Sequence, residues 1–271
     1  MRVKDLLSKP SRISLRDKIL LLAHLLKVNH KELYLMEECE VSHEVRAEFL
    51  DKLNKLEEGY PLQYLIGEWD FYGNTFYVEE GVLIPRPETE ILVEEVLKRL
   101  PLEEPMLGFE LGVGTGCISI SLLLCRESLK MLASDINLKA LKLARRNSKR
   151  HGVSERLMLV GSDLFEAIKP KAFDFVVSNP PYIPMSEWES LSKGVRLEGY
   201  NSLIAGMEGW EFYVRIGRDL EKYLKGNGFF AFEIGHDQGR VVRGIFESLG
   251  YKVEVIKDYA GQDRVVVGWR Y

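Results

Sequence analysis

Apolar residues recur along this chain at two different periods, and the change of period divides it near residue 85. Before that point the spacing is helical. Ile19, Leu22, Ala23 and Leu26 fall on one face of a first long helix. Val45, Phe49, Leu53 and Leu56 fall on one face of a second, with Ser42 placed as its N-cap. A short helix is predicted around Glu32 to Met36. Trp69-Asp-Phe-Tyr, Gly73-Asn74 and Thr75-Phe-Tyr-Val then read as a β-hairpin, with aromatic and β-branched residues flanking a turn-forming pair. Leu83-Ile-Pro-Arg-Pro-Glu is held extended by its prolines, and Glu88 starts a helix to about Leu100.

From about residue 106, apolar strands alternate with helices. Strands are predicted near 106–111, 129–134, 156–160, 173–178, 228–234, 251–256 and 264–269. Helices are predicted near 117–124, 138–151, 210–224 and 238–249. That alternation argues for an α/β domain with a mostly parallel sheet covered on both faces. The last two strands are joined only by a link containing Asp258-Tyr-Ala-Gly-Gln-Asp263, which suits an antiparallel hairpin at the sheet end. The expected organisation is a helical domain over 1–67, a β-hairpin linker over 68–84 and an α/β domain over 85–271.

Composition narrows the classes. The chain has 271 residues with 37 Lys+Arg against 41 Asp+Glu, a formal net charge of −4. Residues 1–60 carry 11 basic and 11 acidic side chains, so there is no basic arm of the kind phosphate binding needs, and no direct nucleic-acid contact is expected. Cys39, Cys117 and Cys125 form no CxxC pair, and the five histidines show no ligand spacing, so neither a disulfide framework nor a metal site is expected. No apolar run reaches the roughly 18 residues of a membrane span. A soluble protein of a reducing compartment is expected.

Two constellations carry chemistry. Glu110-Leu-Gly-Val-Gly-Thr-Gly116 closes the first α/β strand and opens a helix. Gly112, Gly114 and Gly116, with Val113 and Thr115 between them, permit a tight turn and close backbone approach to a ligand. Asp135 ends the next strand, where an acidic side chain accepts from both hydroxyls of a ribose. The pairing implies a nucleoside-containing ligand. An NAD fingerprint fails because Cys117 follows Gly116, and a P-loop fails because the loop holds no lysine. The GxGxG spacing, with an acidic residue two positions upstream, resembles the first motif of S-adenosylmethionine-dependent methyltransferases. Seven strands with a final antiparallel hairpin resemble their Rossmann-like sheet. The resemblance implies that Glu110 lies near the methionine part, and that Asp163 and Leu164 contact adenine.

The second constellation is Ser178-Asn-Pro-Pro-Tyr182, after the fourth α/β strand. Pro180 and Pro181 stiffen the backbone and lack N–H groups, but their carbonyls remain acceptors. Asn179 adds a side-chain acceptor and donor, and Tyr182 a flat ring. This suits methylation of a planar NH2 group, whose two N–H donors the Asn179 side-chain oxygen and the Pro180 carbonyl would hold. Aiming the nitrogen at a sulfonium methyl is positioning plus electrostatic stabilisation, with no strong base required. The Tyr182 ring would fix the plane of the substrate group and shelter the cationic methyl donor.

Further segments separate the possible enzymes. Pro61-Leu-Gln-Tyr-Leu-Ile-Gly67, Phe71-Tyr-Gly73, Val82-Leu-Ile-Pro-Arg-Pro-Glu-Thr-Glu90, Asn179-Pro-Pro-Tyr-Ile183, Glu233-Ile-Gly235 with Gln238, Lys257-Asp258 and Ala260-Gly-Gln-Asp-Arg-Val265 together resemble the HemK/PrmC family, the protein-(glutamine-N5) methyltransferases. The resemblance runs along essentially the whole chain. It implies that the substrate is the glutamine of the Gly-Gly-Gln loop of a class I peptide chain release factor, and that the methyl donor is S-adenosylmethionine, leaving as S-adenosylhomocysteine. A cytoplasmic monomer is expected, its helical domain helping to dock the protein substrate. Arg86 and Glu88, in their stiff Pro-flanked segment, read either as candidates for the substrate channel or as an interdomain ion pair and a helix N-terminal charge.

The chain departs from the family where Glu110 replaces the usual Asp, and between 195 and 212, onto which no role is carried. Rival readings are an NPPY-type methyltransferase of a ribosomal-protein glutamine or of DNA adenine, and a non-catalytic S-adenosylmethionine-binding adaptor. Glu233, at the end of the fifth strand, reads either as a site residue or as a buried paired carboxylate.

Overall fold

Serines open both long helices near the N-terminus of the computed structural model, which describes residues 1–170 and 173–270. Ser14 Oγ accepts from the Asp17 N–H at 3.1 Å, and Ser42 Oγ accepts from the Val45 N–H at 3.3 Å. Each satisfies one orphan donor of a helix start. The helices are α1 (Leu15–Leu26) and α2 (His43–Glu57). They bury Ile19, Leu22, Phe49 and Leu53 in a core of their own. The segment expected as a short helix is the 3-10 turn Glu32–Leu35. Short helices at Val3–Leu7 and Leu62–Ile66 were not legible, because five residues are too few to display a period.

The chain forms two compact units, Met1–Glu68 with Ser192–Leu197, and Trp69–Leu191 with Glu198–Tyr271. In the smaller unit, Gly194 packs so tightly that a Cβ there would lie 2.7 Å from the Gly59 carbonyl oxygen.

A hairpin, Glu68–Phe71 and Asn74–Tyr77, lies in the larger unit from Trp69 onward. Its turn is Tyr72-Gly73, with φ of 49° and 72°, and not the expected Gly73-Asn74. Two consecutive left-handed residues twist the turn as the strands require, and Asn74 joins the strand while its Nδ2 donates to the Tyr72 carbonyl at 2.8 Å. Of residues 68–84, expected as a linker, 69–84 belong to this unit. Phe71 and Phe76 are buried in its core, and the Asn147 side chain bonds both backbone groups of Tyr77 and the Thr115 carbonyl.

The central sheet has seven strands: β1 (Met106–Leu111), β2 (Leu129–Asp135), β3 (Leu157–Gly161), β4 (Phe173–Ser178), β5 (Leu224–Glu233), β6 (Lys252–Lys257) and β7 (Asp263–Trp269). Their order is β3-β2-β1-β4-β5-β7-β6, parallel throughout except that β7 is antiparallel to both neighbours. The helices are α3 (Glu90–Arg99), α4 (Cys117–Cys125), α5 (Leu138–Arg150), α6 (Glu211–Leu220) and α7 (Gly239–Ser248). One face of the sheet packs Phe175, Val177 and Ala231 against Leu92, Val96 and Ile120. The other packs Phe109, Val176 and Phe230 against Tyr213, Ile216 and Phe246.

Helix α6 stops at Leu220, short of the expected 224, and β5 starts at Leu224, ahead of the expected 228. The Gly226-Asn-Gly228 run looks like a turn, but it sits in a register break between the pairs Phe173–Leu224 and Phe175–Phe229. Between β4 and α6 lie short elements that were not predicted, including a parallel pairing of Ile183–Pro184 with Ile204–Gly206. Among the described residues no helix is long and apolar enough to cross a membrane.

Candidate active site

Sheet order turns around between β1 and β4, and ligands of open α/β sheets bind at the carboxyl edge of such a point. The Ser178 hydroxyl donates to the Leu111 carbonyl at 2.7 Å, tying the ends of β4 and β1 together. A cavity of about 260 Å³ opens there, far above the ~10–15 Å³ that one water needs. Its wall includes Glu110, Gly112, Val113, Gly114, Thr115, Asp135, Asp163, Leu164, Asn179, Pro181 and Arg86.

The glycine loop is folded by the strand beside it. The Gly112 and Val113 N–H groups both donate to the Ser134 carbonyl at 2.9 Å. Gly112 and Gly114 have φ of 73° and 53°, and a Cβ on either would meet nothing within 4 Å, so their backbones face open space. Gly116 differs: a Cβ there would lie 3.0 Å from Ile120 and 3.2 Å from Ala144, so this glycine lets α4 and α5 pack. Asp135 accepts from the Gly114 N–H at 2.9 Å and from the Asn137 N–H at 2.8 Å. Each oxygen keeps a lone pair for a ligand hydroxyl. Burial raises the Asp135 carboxyl above its ordinary range, against those two hydrogen bonds.

Glu110 is buried at the cavity wall. Its Oε2 accepts from the Ser119 N–H at 3.1 Å and from the Ser119 hydroxyl. Burial pushes its pKa up to about 8. Opposite, Asp163 pairs with Arg215 at 2.8 Å, and Leu164 takes a left-handed φ of 48°. A loop open to a ligand, a carboxylate with free lone pairs and an apolar residue in a strained turn fit the parts of a nucleoside.

Asn179 Nδ2 donates to Thr89 Oγ1 at 3.3 Å, and its Oδ1 has no partner among the described residues. Of the proline pair, Pro181 lines the cavity whereas Pro180 is buried and does not. The Tyr182 ring packs against the second core cluster and is absent from the wall. Its hydroxyl donates to Glu233 Oε1 at 3.5 Å, and its carbonyl accepts from Gln238 Nε2 at 2.9 Å. Glu88 is exposed and also off the wall.

Three residues of this site had no sequence signal assigned to them. Arg86 pairs with Glu198 at 2.5 Å, and Glu198 also accepts from the Ile84 N–H at 3.2 Å. Burial raises the Glu198 carboxyl, with Arg86 opposing. Glu198 lies in the segment that departs from the family pattern, so nothing marked it. Thr89 and Arg215 are visible only through their contacts with Asn179 and Asp163. Glu233 is buried, and burial raises its pKa to about 7.

Residues 87–190 match the methyltransferase small domain, and residues 6–67 match the PrmC N-terminal domain. The chain is 48% identical over 271 residues to a release factor glutamine methyltransferase of Aquifex aeolicus (strain VF5), covering 100% of this chain and 96% of that protein. It is 37% identical over 255 residues to a release factor glutamine methyltransferase of Chlorobaculum tepidum, covering 90% and 86%. Among solved structures, a methyltransferase from Pyrococcus furiosus superposes with a TM-score of 0.55 at 19% identity, over 74% of this chain and 90% of that one. That likeness shows the fold.

Proposed function

Since this chain belongs to the release factor glutamine methyltransferase family, we propose that it methylates the glutamine side-chain amide in the Gly-Gly-Gln loop of a class I peptide chain release factor. The observation that carries the reading is one cavity whose wall holds both the open loop 112–115 and Asn179 with its unpartnered Oδ1.

The methyl donor is S-adenosylmethionine, which supplies a methyl carbon on a positively charged sulfur. Asp135 accepts from its ribose hydroxyls, and the Gly112 and Gly114 backbones give it room to approach. Glu110 Oε1, which has no partner among the described residues, offers a negative charge to the ammonium of the methionine part. Asp163 and Leu164 border the adenine.

The amide nitrogen of glutamine is a poor nucleophile because its lone pair is delocalised. Asn179 Oδ1, on the cavity wall, accepts one of its N–H groups and fixes the direction of that lone pair. It also favours the positive charge that develops on nitrogen. The new N–C bond forms as the C–S bond breaks with its electron pair going to sulfur. The nitrogen then gives one proton to water, and S-adenosylhomocysteine and the N5-methyl amide remain. Pro181 borders the reacting group, and Tyr182 supports the loop from behind through its bonds to Glu233 and Gln238. Arg86, held by Glu198, offers a cation at the substrate side of the cavity.

The helical unit, charge-balanced and without a basic arm, docks the release factor. The enzyme acts as a cytoplasmic monomer. Purified protein with radiolabelled S-adenosylmethionine and unmodified release factor is expected to label one glutamine, located by mass spectrometry. Label in DNA, or in a ribosomal protein alone, would overturn the reading.

A further inference from the structure

The geometry points to Thr89 and Glu233 as positioning residues that decide which end of the Asn179 carboxamide faces the substrate. This rests on the role of Asn179 proposed above. A carboxamide rotated by half a turn fills the same space, yet presents donors where it had an acceptor. Methylation of an NH2 group needs the acceptor. Something must therefore bias Asn179, and its one protein partner among the described residues is Thr89.

Thr89 closes the 3-10 turn Pro87–Thr89, is 3% exposed and lies at the cavity wall beside Asn179. Its hydroxyl has a single proton. Its oxygen accepts from Asn179 Nδ2 at 3.3 Å, and the buried carboxyl whose ionised form its hydroxyl favours is Glu233. Glu233 Oε1 is taken by the Tyr182 hydroxyl at 3.5 Å, while the buried Oε2 has no hydrogen-bond partner among the described residues and is the acceptor left for the Thr89 proton. The relay then runs one way, from the amide N–H to the hydroxyl to the carboxylate. An ionised carboxylate can only accept, so it fixes that direction and leaves Asn179 Oδ1 toward the cavity.

Protonated Glu233 reverses the logic. It donates to Thr89, Thr89 donates to Asn179 Oδ1, and the NH2 end turns to the substrate. The groups facing Glu233 are Thr89 and Glu88 before α3, Tyr182 after β4, Tyr213 on α6, Cys117 on α4 and Arg264 on β7. Arg264, itself paired with Asp258 at 3.1 Å, favours the ionised form. Burial and Glu88 oppose it, which places the change near neutrality.

The test compares Thr89→Val, Thr89→Ser and Glu233→Gln with the wild type. Turnover on release factor, donor affinity by calorimetry and the Asn179 side-chain NH2 resonances by NMR are read for each. Thr89→Val, nearly the same shape, is expected to lower kcat at least about tenfold, the scale of one lost hydrogen-bond bias. Its donor Kd stays within about twofold of wild type. Thr89→Ser restores the hydroxyl and most of the rate. The wild-type rate should fall as pH drops through about 7, and Glu233→Gln should lack that limb. In the free wild-type protein the Asn179 resonances should shift over the same range, and in Thr89→Val they should not. Wild-type kcat in Thr89→Val, or pH-independent Asn179 resonances in the wild type, overturns the relay. Resonances that titrate as expected in a protein that leaves release factor unlabelled would instead overturn the proposed substrate and keep the relay.

Discussion

Glu110→Gln is expected to make the free protein more stable as pH rises, and to weaken its hold on the methyl donor. Glu110 is buried, and its pKa is raised from 4.5 to about 8 in the folded chain. A raised folded pKa means a contribution that is complete below the unfolded value and lost as pH rises through the folded one. Between pH 4.5 and 7 the unfolded chain gives up this proton while the folded chain keeps it. At about 1.4 kcal/mol per pH unit, wild type should lose about 3 kcal/mol relative to the glutamine variant over that interval. Comparing the two proteins cancels the other carboxylates that burial also raises, such as Asp135 and Glu233. All four tryptophans, at 69, 188, 210 and 269, lie in the larger unit, so their fluorescence in a urea titration reports the unfolding that matters. The same charge explains the opposite effect on binding. A bound ammonium favours ionised Glu110, so wild-type donor affinity should increase as pH rises through about 8, and the variant's should not. Parallel stability curves for the two proteins across this range would refute the reasoning.

Three further substitutions probe the remaining parts. Asn179→Ala should cut turnover by about a hundredfold or more while donor Kd, by calorimetry, stays within about twofold, because the lost acceptor acts on the substrate amide. Asp135→Ala should first weaken donor binding, by about thirtyfold, the equivalent of about 2 kcal/mol for hydrogen bonds to a charged acceptor; unchanged affinity would remove the ribose assignment. Arg86→Met strands Glu198, whose side chain is 2% exposed, and should destabilise the protein by about 2–3 kcal/mol. Adding Glu198→Gln should recover most of that loss in a double-mutant cycle followed by urea denaturation.

Long periodic segments were legible in the sequence because burial of one face dictates them. The two N-terminal helices, all seven sheet strands and the final hairpin follow from that alone. What failed was local. Gly226-Asn-Gly228 has turn composition but lies within a strand, since its neighbours pair on both sides of a register break. The hairpin turn shifted to Tyr72-Gly73 because a paired left-handed geometry overrode the turn preference of Asn74. In the site, the glycine loop, Asp135 and Asn179 were readable because backbone approach and ligand chemistry restrict residue type. Glu198 and Thr89 were not, because each acts through a partner distant in sequence, 112 residues away for Glu198 and Arg86 and 90 for Thr89 and Asn179. The Tyr182 ring has the right composition for a stacking platform, yet its hydroxyl draws it toward Glu233.

Residues 192–197 leave the larger unit and rejoin it one residue before Glu198. The polypeptide therefore passes between the two units three times, at 68–69, 191–192 and 197–198. A single nick at any one of these crossings leaves the other two intact, and removal of residues 1–68 would strip Ser192–Leu197 of the Gly59 backbone on which Gly194 rests. The third crossing ends on the carboxylate that anchors Arg86. The peptide bond at 197–198 thus joins the smaller unit's second segment directly to the side chain that holds the cavity's arginine.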